Sequence, residues 1–428
     1  MSTIFSTITP QQLTELSHPI QQLLSKTPYN PPKSHDVSVK SFIQSLLPPK
    51  NPENNTNPSK IIDFSLCCAF LSASNNSNSL FVNWVTPQLS NSAKSAFRAL
   101  SKTVFGENGD CDVNLSLEQR LVIELMPKVL PLIKDKIKES SVSGSDDGDE
   151  ISAASSRAPL AYAVVAAYQL RWFVTQVESP HLGKMCGLIV PCGLTALDHW
   201  SPEVKGQGMI SFIHIAKHIN AAELGGYGDV ILDACRQNIV STDELWHDAI
   251  EMSVLLVTCL QKHNPRSPWF EKFLNEMLGH LERQPKNKER RVAWLKLIEP
   301  LFFCVGLVLL AHFRSLFPLF FQWMHADDDE TVLLVLERLL VVVKLTWIRR
   351  SPYTARLVDE LAILYKEAAT RVAREDIRKL ICQITILLQQ CKGVQFEATW
   401  EKYKDDPNLE VLAQSVAEQA TLVSIWLL

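Results

Sequence analysis

From Pro159 onward the chain is a near-unbroken series of segments in which apolar positions recur at helical spacing, joined by short polar turns. Pairs of these segments open near Leu188, Asp229, Trp269, Phe313 and Tyr353, which are 41, 40, 44 and 40 residues apart. Within one of them, starting at Glu203, the residues Val204, Gly208, Phe212, Ile215 and Ile219 make a single stripe. That stripe predicts one buried helix face, with His214 and His218 on a polar face beside Gln207 and Ser211. The segment Thr331–Thr346 is apolar almost all round, broken only by Glu337, Arg338 and Lys344, which predicts a helix covered on both sides. The acidic run before it places carboxylates where the free amides and the dipole of a helix start favour them.

Two of the pairs overlay. Pro191 occupies in its pair the place of Pro318 in the other, 127 residues or three repeats away, and Glu203 and Glu330 both open the following helix. Helix pairs recurring every ~40–47 residues bury their apolar faces only by stacking on their neighbours. The expected fold class is therefore all-α: a HEAT/ARM-like α-solenoid, a right-handed superhelix of antiparallel helix pairs, with an irregular helical N-terminal arm.

The interruptions set the expected organisation. Residues 1–60 hold 9 of the 23 prolines and form the Pro-rich arm, with two short periodic pieces, Leu13–Leu24 and Val37–Leu47. N-terminal helices occupy 61–139. Residues 140–157 are an acidic Ser/Gly-rich linker too polar to order itself, with Ser143 in an acidic setting suited to phosphorylation. The repeats fill 158–405. A terminal helix over 406–428, with Leu409, Leu412, Val416, Val423 and Leu427 on one face, reads as a cap; a docking face ending at Trp426 is the alternative.

Composition agrees with an all-helical chain. Only 15 of 428 residues are glycine, about half the usual ~7%, which leaves few for phosphate cradles or tight hairpins. Charge is balanced at −4, so no global basic field favours nucleic acid. The ten cysteines include no C-x-x-C pair and sit mostly within apolar runs, reading as small buried hydrophobes of a reducing compartment. With no basic-then-apolar leader, the expected location is cytoplasmic or nuclear. The longest uncharged apolar stretch, Pro300–Phe313, has 14 residues, short of the ~20 that span a bilayer. It is expected to be a buried helix, and no membrane partner is expected.

Catalytic motifs are missing: no G-x-x-x-x-G-K-[ST], G-x-G-x-x-G, G-x-S-x-G or H-E-x-x-H occurs. His214 and His218 have the i,i+4 spacing of metal ligands but no acidic partner between them, and read as a solvated pair. An EF-hand starting at Asp327 would need Gly and Glu where Val332 and Arg338 stand. Cys192 lies more than a turn from Asp198 and His199, so no nucleophile is indicated. No enzyme, cofactor or metal is expected. The strongest basic cluster, Arg283, Lys286, Lys288, Arg290 and Arg291, reads as a charged turn and as a possible interaction surface together with Trp426. Trp347, Arg349 and Arg350 close a repeat, with packing and capping as their first reading and partner contact as their second.

One constellation resembles a known family. An apolar helix with internal Pro191, then Leu197-Asp198, then the turn and helix start Pro202-x-x-Lys205-x-x-Gly208, then Gly226-x-Gly228 before Val230, is similar to the Tel Two-interacting protein two family, the third subunit of the Triple T (TTT) complex. A second stretch, from VGLVLLAHFRSLFP through an acidic turn to Trp347 and the arginines after it, looks like that family too. The likeness covers about Leu188–Arg350. It departs where His199 and Trp200 stand in place of further acidic residues, and where Ile348 precedes the arginines instead of proline. The resemblance implies a non-catalytic adaptor in a hetero-oligomer. Its partners would be the other two TTT subunits, the Hsp ninety chaperone machinery and the phosphatidylinositol-3-kinase-related kinases whose stability the complex supports in DNA-damage and nutrient signalling. The family-motif positions it marks as structural or partner-contacting are Pro191, Leu197, Asp198, Pro202, Lys205, Gly208, Trp347 and Arg349. The alternative is another ARM/HEAT-repeat adaptor, such as a transport or scaffold protein.

Overall fold

The computed structural model describes residues 8–29, 38–49, 58–74, 79–106, 115–141, 158–349 and 351–426; from 419 on it describes backbone alone. Outside these lie Cys111, Ser143 with most of the expected acidic linker, Arg350 and the side chain of Trp426. Among the described residues every regular element is helical. They divide into two compact units, residues 1–234 and 235–428.

The first unit contains α1 (Pro10–Lys26), α2 (Val39–Ser45), α3 (Pro58–Ala73), α4 (Pro87–Phe105), α5 (Leu117–Glu139), α6 (Leu160–Thr175), α7 (His181–Lys184), α8 (Cys186–Leu197), α9 (Pro202–His218) and α10 (Ala221–Leu224). Helix α11 (Gly228–Asn238) runs across the boundary. Helix starts are set by local chemistry: Thr9 with Gln12 and Ser116 with Gln119 form reciprocal capping boxes, and Thr86 caps α4 through the Leu89 amide. Helix α6 has no such cap and is held by burial instead. Its small residues, Ala161, Ala163, Ala166 and Ala167, let α3, α5 and α9 close around it. Its buried Gln169 donates to the Leu66 carbonyl at 3.0 Å. Helix α5 carries Pro127 and Pro131 on its exposed side, where a missing amide costs the core nothing.

The second unit contains α12 (Asp243–Leu260), α13 (Pro268–Arg283), α14 (Lys288–Leu297), α15 (Glu299–Val305), α16 (Phe313–Met324), α17 (Asp329–Thr346), α18 (Thr354–Glu367), α19 (Arg374–Lys392), α20 (Val394–Trp400) and α21 (Glu410–Trp426). Helices open at Cys186, Gly228, Pro268, Phe313 and Thr354, within two residues of the repeat starts expected from the sequence. The overlay of two pairs holds in detail: Pro191 and Pro318 are each the sixth residue of a 12-residue helix, and the next helix begins 11 residues later in both. The core of this unit centres on Trp294, fully buried against Phe302 at 6.0 Å, Phe320 at 6.4 Å and Trp323 at 6.0 Å.

The expected buried helix Pro300–Phe313 takes another form. The apolar run extends over Glu299–Met324 and by length and composition alone could cross a membrane. It is cut into α15, a tight 3-10 turn over Gly306–His312, and α16, because Gly306 adopts a left-handed φ of 54° that ends α15. Only 44% of its most apolar window is buried.

Candidate functional site

The motif Pro191 to Gly208 builds the α8–α9 hairpin. Pro202 sits at the first turn of α9, where proline's fixed φ suits a helix start. Leu197 is fully buried at the end of α8, and Asp198 follows it as an exposed cap residue. Lys205 is half-buried; burial lowers its pKa, with the Asp198 carboxylate acting in the opposite direction. Gly208 lets the two helices meet: a Cβ there would lie 3.0 Å from the Ala196 methyl. Gly193 does the same from the other side, where a Cβ would come within 2.8 Å of the Phe212 ring.

The two residues that depart from the family pattern have a role of their own. His199 Nδ1 accepts the Ser201 amide at 3.0 Å, so the ring proton is on Nε2, which faces Ser140 Oγ at 3.0 Å. Trp200 stacks on His199 and donates from its indole to the Ser140 carbonyl at 3.2 Å. Together they pin the end of α5 to the α8–α9 turn. Burial first, and the Lys205 charge as well, hold the His199 pKa down to about 4 despite the hydrogen bond to Ser140.

The candidate catalytic groups are dispersed. Cys192 is buried, which pushes its thiol up to about 12, far from a reactive thiolate. The described cysteines are all free; Cys67, Cys68, Cys186, Cys192 and Cys235 are buried, while Cys259, Cys304, Cys382 and Cys391 are partly exposed. The solvated reading of His214 and His218 is corrected. Gln207 and Ser211 are buried, His214 is half-buried with Nε2 engaged by the Val177 carbonyl at 2.8 Å, and its ring packs on His218 at 4.3 Å. Helix α9 is covered on its polar side as well as its apolar one. Among the described residues the one group of side chains close enough to share a metal ion is His247, Asp248 and Glu251, on the outer side of α12.

The basic cluster is split by the fold. Arg283 and Lys286 are exposed in the α13–α14 turn. Lys288, Arg290 and Arg291 belong to a polar ladder linking successive repeats. Asp243, in the first turn of α12, accepts Asn287 at 3.1 Å and the buried Arg290 at 2.5 Å. Asp328, the N-cap of α17, accepts the Thr331 amide at 2.9 Å, Arg291 at 2.9 Å and Lys288 at 3.2 Å. Asp329 accepts Arg371 at 3.1 Å and the Ala373 amide at 2.8 Å, just before α19. Burial alone would raise Asp328, but the Thr331, Arg291 and Lys288 hydrogen bonds together hold it down to about 2. Sequence reasoning recognised these basic residues as a cluster and missed their partners.

Trp347 reverses its expected roles. It ends α17 with its ring 55% exposed, beside Ile348 at 59% and an exposed Arg349. Packing is therefore not what the indole does. The capping is done by Lys392 of α19, whose ammonium meets the Thr346, Trp347 and Arg349 carbonyls.

No protein-family model matches the chain. An Arabidopsis thaliana protein, "Uncharacterized protein At2g39910", is 53% identical over 409 residues, 95% of this chain and 94% of its own length. The chain belongs to the family of that plant protein. Among solved structures it is similar to Kap95p bound to RanGDP, with a TM-score of 0.53 and 13% identity, and to the karyopherin Kap121p bound to the SUMO protease Ulp1p, with a TM-score of 0.51 and 13% identity. Each likeness covers 96% of this chain but 44% and 40% of the karyopherin, so the chain spans less than half the length of those proteins. At such identity the likeness concerns the fold, an α-solenoid of the HEAT/armadillo class, as expected from the repeat period.

Proposed function

We propose that this protein is a non-catalytic adaptor that works by holding other proteins, as the third subunit of a TTT co-chaperone complex. The observation that carries the adaptor reading is the end of α17, where Trp347, Ile348 and Arg349 are exposed on a backbone tied down by Lys392. Trp and Arg carry much of the energy of protein interfaces, and a tethered backbone lowers the entropy lost on docking. The TTT assignment rests on the motif residues Pro191 to Gly208 and on Trp347 with Arg349. In this reading the α8–α9 motif holds the hairpin together and the α17 end meets the partner. Residues 1–60 are an arm, 61–139 the N-terminal helices, 140–157 a linker, 158–405 the repeat region and 406–428 a cap, in a protein of the cytoplasm or nucleus.

A second reading, a transport adaptor, draws support from the karyopherin-like fold. One experiment separates the two. Tagged protein recovered from native extract is analysed by mass spectrometry, with Trp347→Ala/Arg349→Glu in parallel. Stoichiometric recovery of the other two TTT subunits, lost in the double variant at unchanged melting temperature, is the expected outcome. Recovery of transport factors in their place assigns the second reading.

A further inference from the structure

Helices α17 and α19 pack along each other and are fastened at both ends. At their starts, Asp329 accepts the Ala373 amide at 2.8 Å, just before α19. At their ends, the Lys392 ammonium of α19 donates to the Thr346 carbonyl at 3.4 Å, the Trp347 carbonyl at 3.1 Å and the Arg349 carbonyl. The next residue, Gly393, takes a left-handed φ of 41° that closes α19 and lets α20 begin at Val394. These hydrogen bonds set the first residues of α20 beside the last turn of α17. Trp347, Ile348 and Val394 are 55%, 59% and 86% exposed, so apolar side chains from two segments open on one edge of the second unit. Adjacent apolar side chains left open in this way mark binding surfaces. The charge of the edge has one sign. Between Glu337 and Asp359, and again between Asp376 and Glu397, the chain holds no carboxylate. The helix runs on in right-handed form through Trp347, which puts Lys344 one turn below Trp347 and Ile348. Lys344 and Arg349 are both exposed and paired with no carboxylate among the described residues. Glu397, the fourth residue of α20, is engaged by Gln389 at 3.4 Å.

We propose that Trp347, Ile348 and Val394, with Lys344 and Arg349 beside them, form one docking surface for a segment of a partner protein whose apolar anchors are flanked by Asp or Glu side chains. The proposal rests on the adaptor reading and extends it in two respects: the start of α20 belongs to the surface, and the partner segment is acidic. Complementary charge is what selects that occupant, since it speeds encounter and repels partners of the wrong sign. A second copy of this chain fits poorly, because a two-fold contact brings the same cation-only edge against itself. Nucleic acid fits poorly, since two free cations neutralise few phosphates and the chain carries a net charge of −4. A bilayer fits poorly too: three apolar side chains and two cations fall short of the paired signals that stable anchoring takes.

A random peptide library displayed on phage, selected on the full chain and counter-selected on Trp347→Ala/Val394→Ser, tests it. The expected yield is sequences with Leu, Ile or Phe anchors beside Asp or Glu. A synthetic peptide from that yield, followed by fluorescence anisotropy, should bind Trp347→Ala at least tenfold and Val394→Ser at least threefold more weakly. Lys344→Glu/Arg349→Glu should favour a Lys-flanked version of the same peptide, and these exposed swaps keep the test decisive if an apolar variant melts early. No enriched sequences, or neutral or basic flanks, would overturn the proposal. Binding that falls in Trp347→Ala but is untouched by Val394→Ser would overturn the two-segment surface and leave the adaptor reading standing. That reading fails separately, if the Trp347→Ala/Arg349→Glu variant recovers every partner from native extract that the parent chain does. Trp347-dependent retention on phosphatidylcholine/phosphatidylserine vesicles would assign the edge to a membrane instead, and a dimer in sedimentation that Val394→Ser dissociates would assign it to a second copy; either overturns the proposal.

Discussion

The α8–α9 and α16–α17 hairpins share one pattern, a proline at the sixth position of a 12-residue helix and a second helix 11 residues later, yet they cohere by different means. In the first, missing side chains let helices touch: Gly208 lies on Ala196 and Gly193 under Phe212. In the second, large rings of α16, Phe320 and Trp323, pack on Trp294 of α14 in the preceding repeat, and the turn is fastened to neighbouring repeats through Asp328 and Asp329. A repeat pattern thus specifies where helices begin and leaves open what fills the gap between them.

The largest break in the comparison should come from Trp294→Ala. It empties the aromatic centre that α16–α17 packs on and should cost about 3–5 kcal/mol, read as a fall in the urea midpoint. Asp328→Ala should cost about 1–3 kcal/mol, because it removes a helix cap and the carboxylate partner of the mostly buried Arg291, which keeps only Thr331 and the Pro285 carbonyl; an unchanged melting temperature would show the ladder to be ornamental. Gly208→Val acts on the other hairpin by overpacking and should cost about 1–3 kcal/mol, while a small-to-large change at the half-buried Gly279, where a Cβ would meet only the Arg283 guanidinium at 4.0 Å, should cost far less.

The smallest effect is a pH slope. His199 is neutral in the fold down to about 4, whereas an unfolded histidine takes up its proton near 6.5. Between these values the unfolded state binds the extra proton, so stability is full above ~6.5 and declines as pH falls toward 4, by about 1–3 kcal/mol. His199→Gln should flatten that part of the melting-temperature profile. No comparable slope should arise from Asp328 until pH falls below its unfolded value of 3.8 toward about 2.

The helix pairs were legible in sequence because each repeat must turn one apolar face to its neighbours, and that demand writes the period into the chain. The Pro191/Pro318 overlay was legible for the same reason. The ladder was not: Asp243, Arg290, Asp328 and Arg371 are ordinary surface residue types, and their pairing appears only when residues 37 to 47 apart are brought together. The polar side of α9 was misread because Gln207, Ser211 and His214 look solvated until a neighbouring element covers them. Trp347 was misread in the opposite direction, since a large aromatic at a helix end usually packs. Its exposure is visible only once Lys392 is seen to satisfy the backbone around it.

The ladder also determines how the second unit would answer a mechanical pull. Among the described residues Asp243 and Asp329 tie a helix start forward to the adjacent repeat, and Asp328 ties one back to the repeat before it. Tension applied at the ends would therefore be released one helix pair at a time, each event freeing about 40 residues or roughly 14 nm of contour length. Such a region would stretch and recoil in steps, as a spring of linked segments.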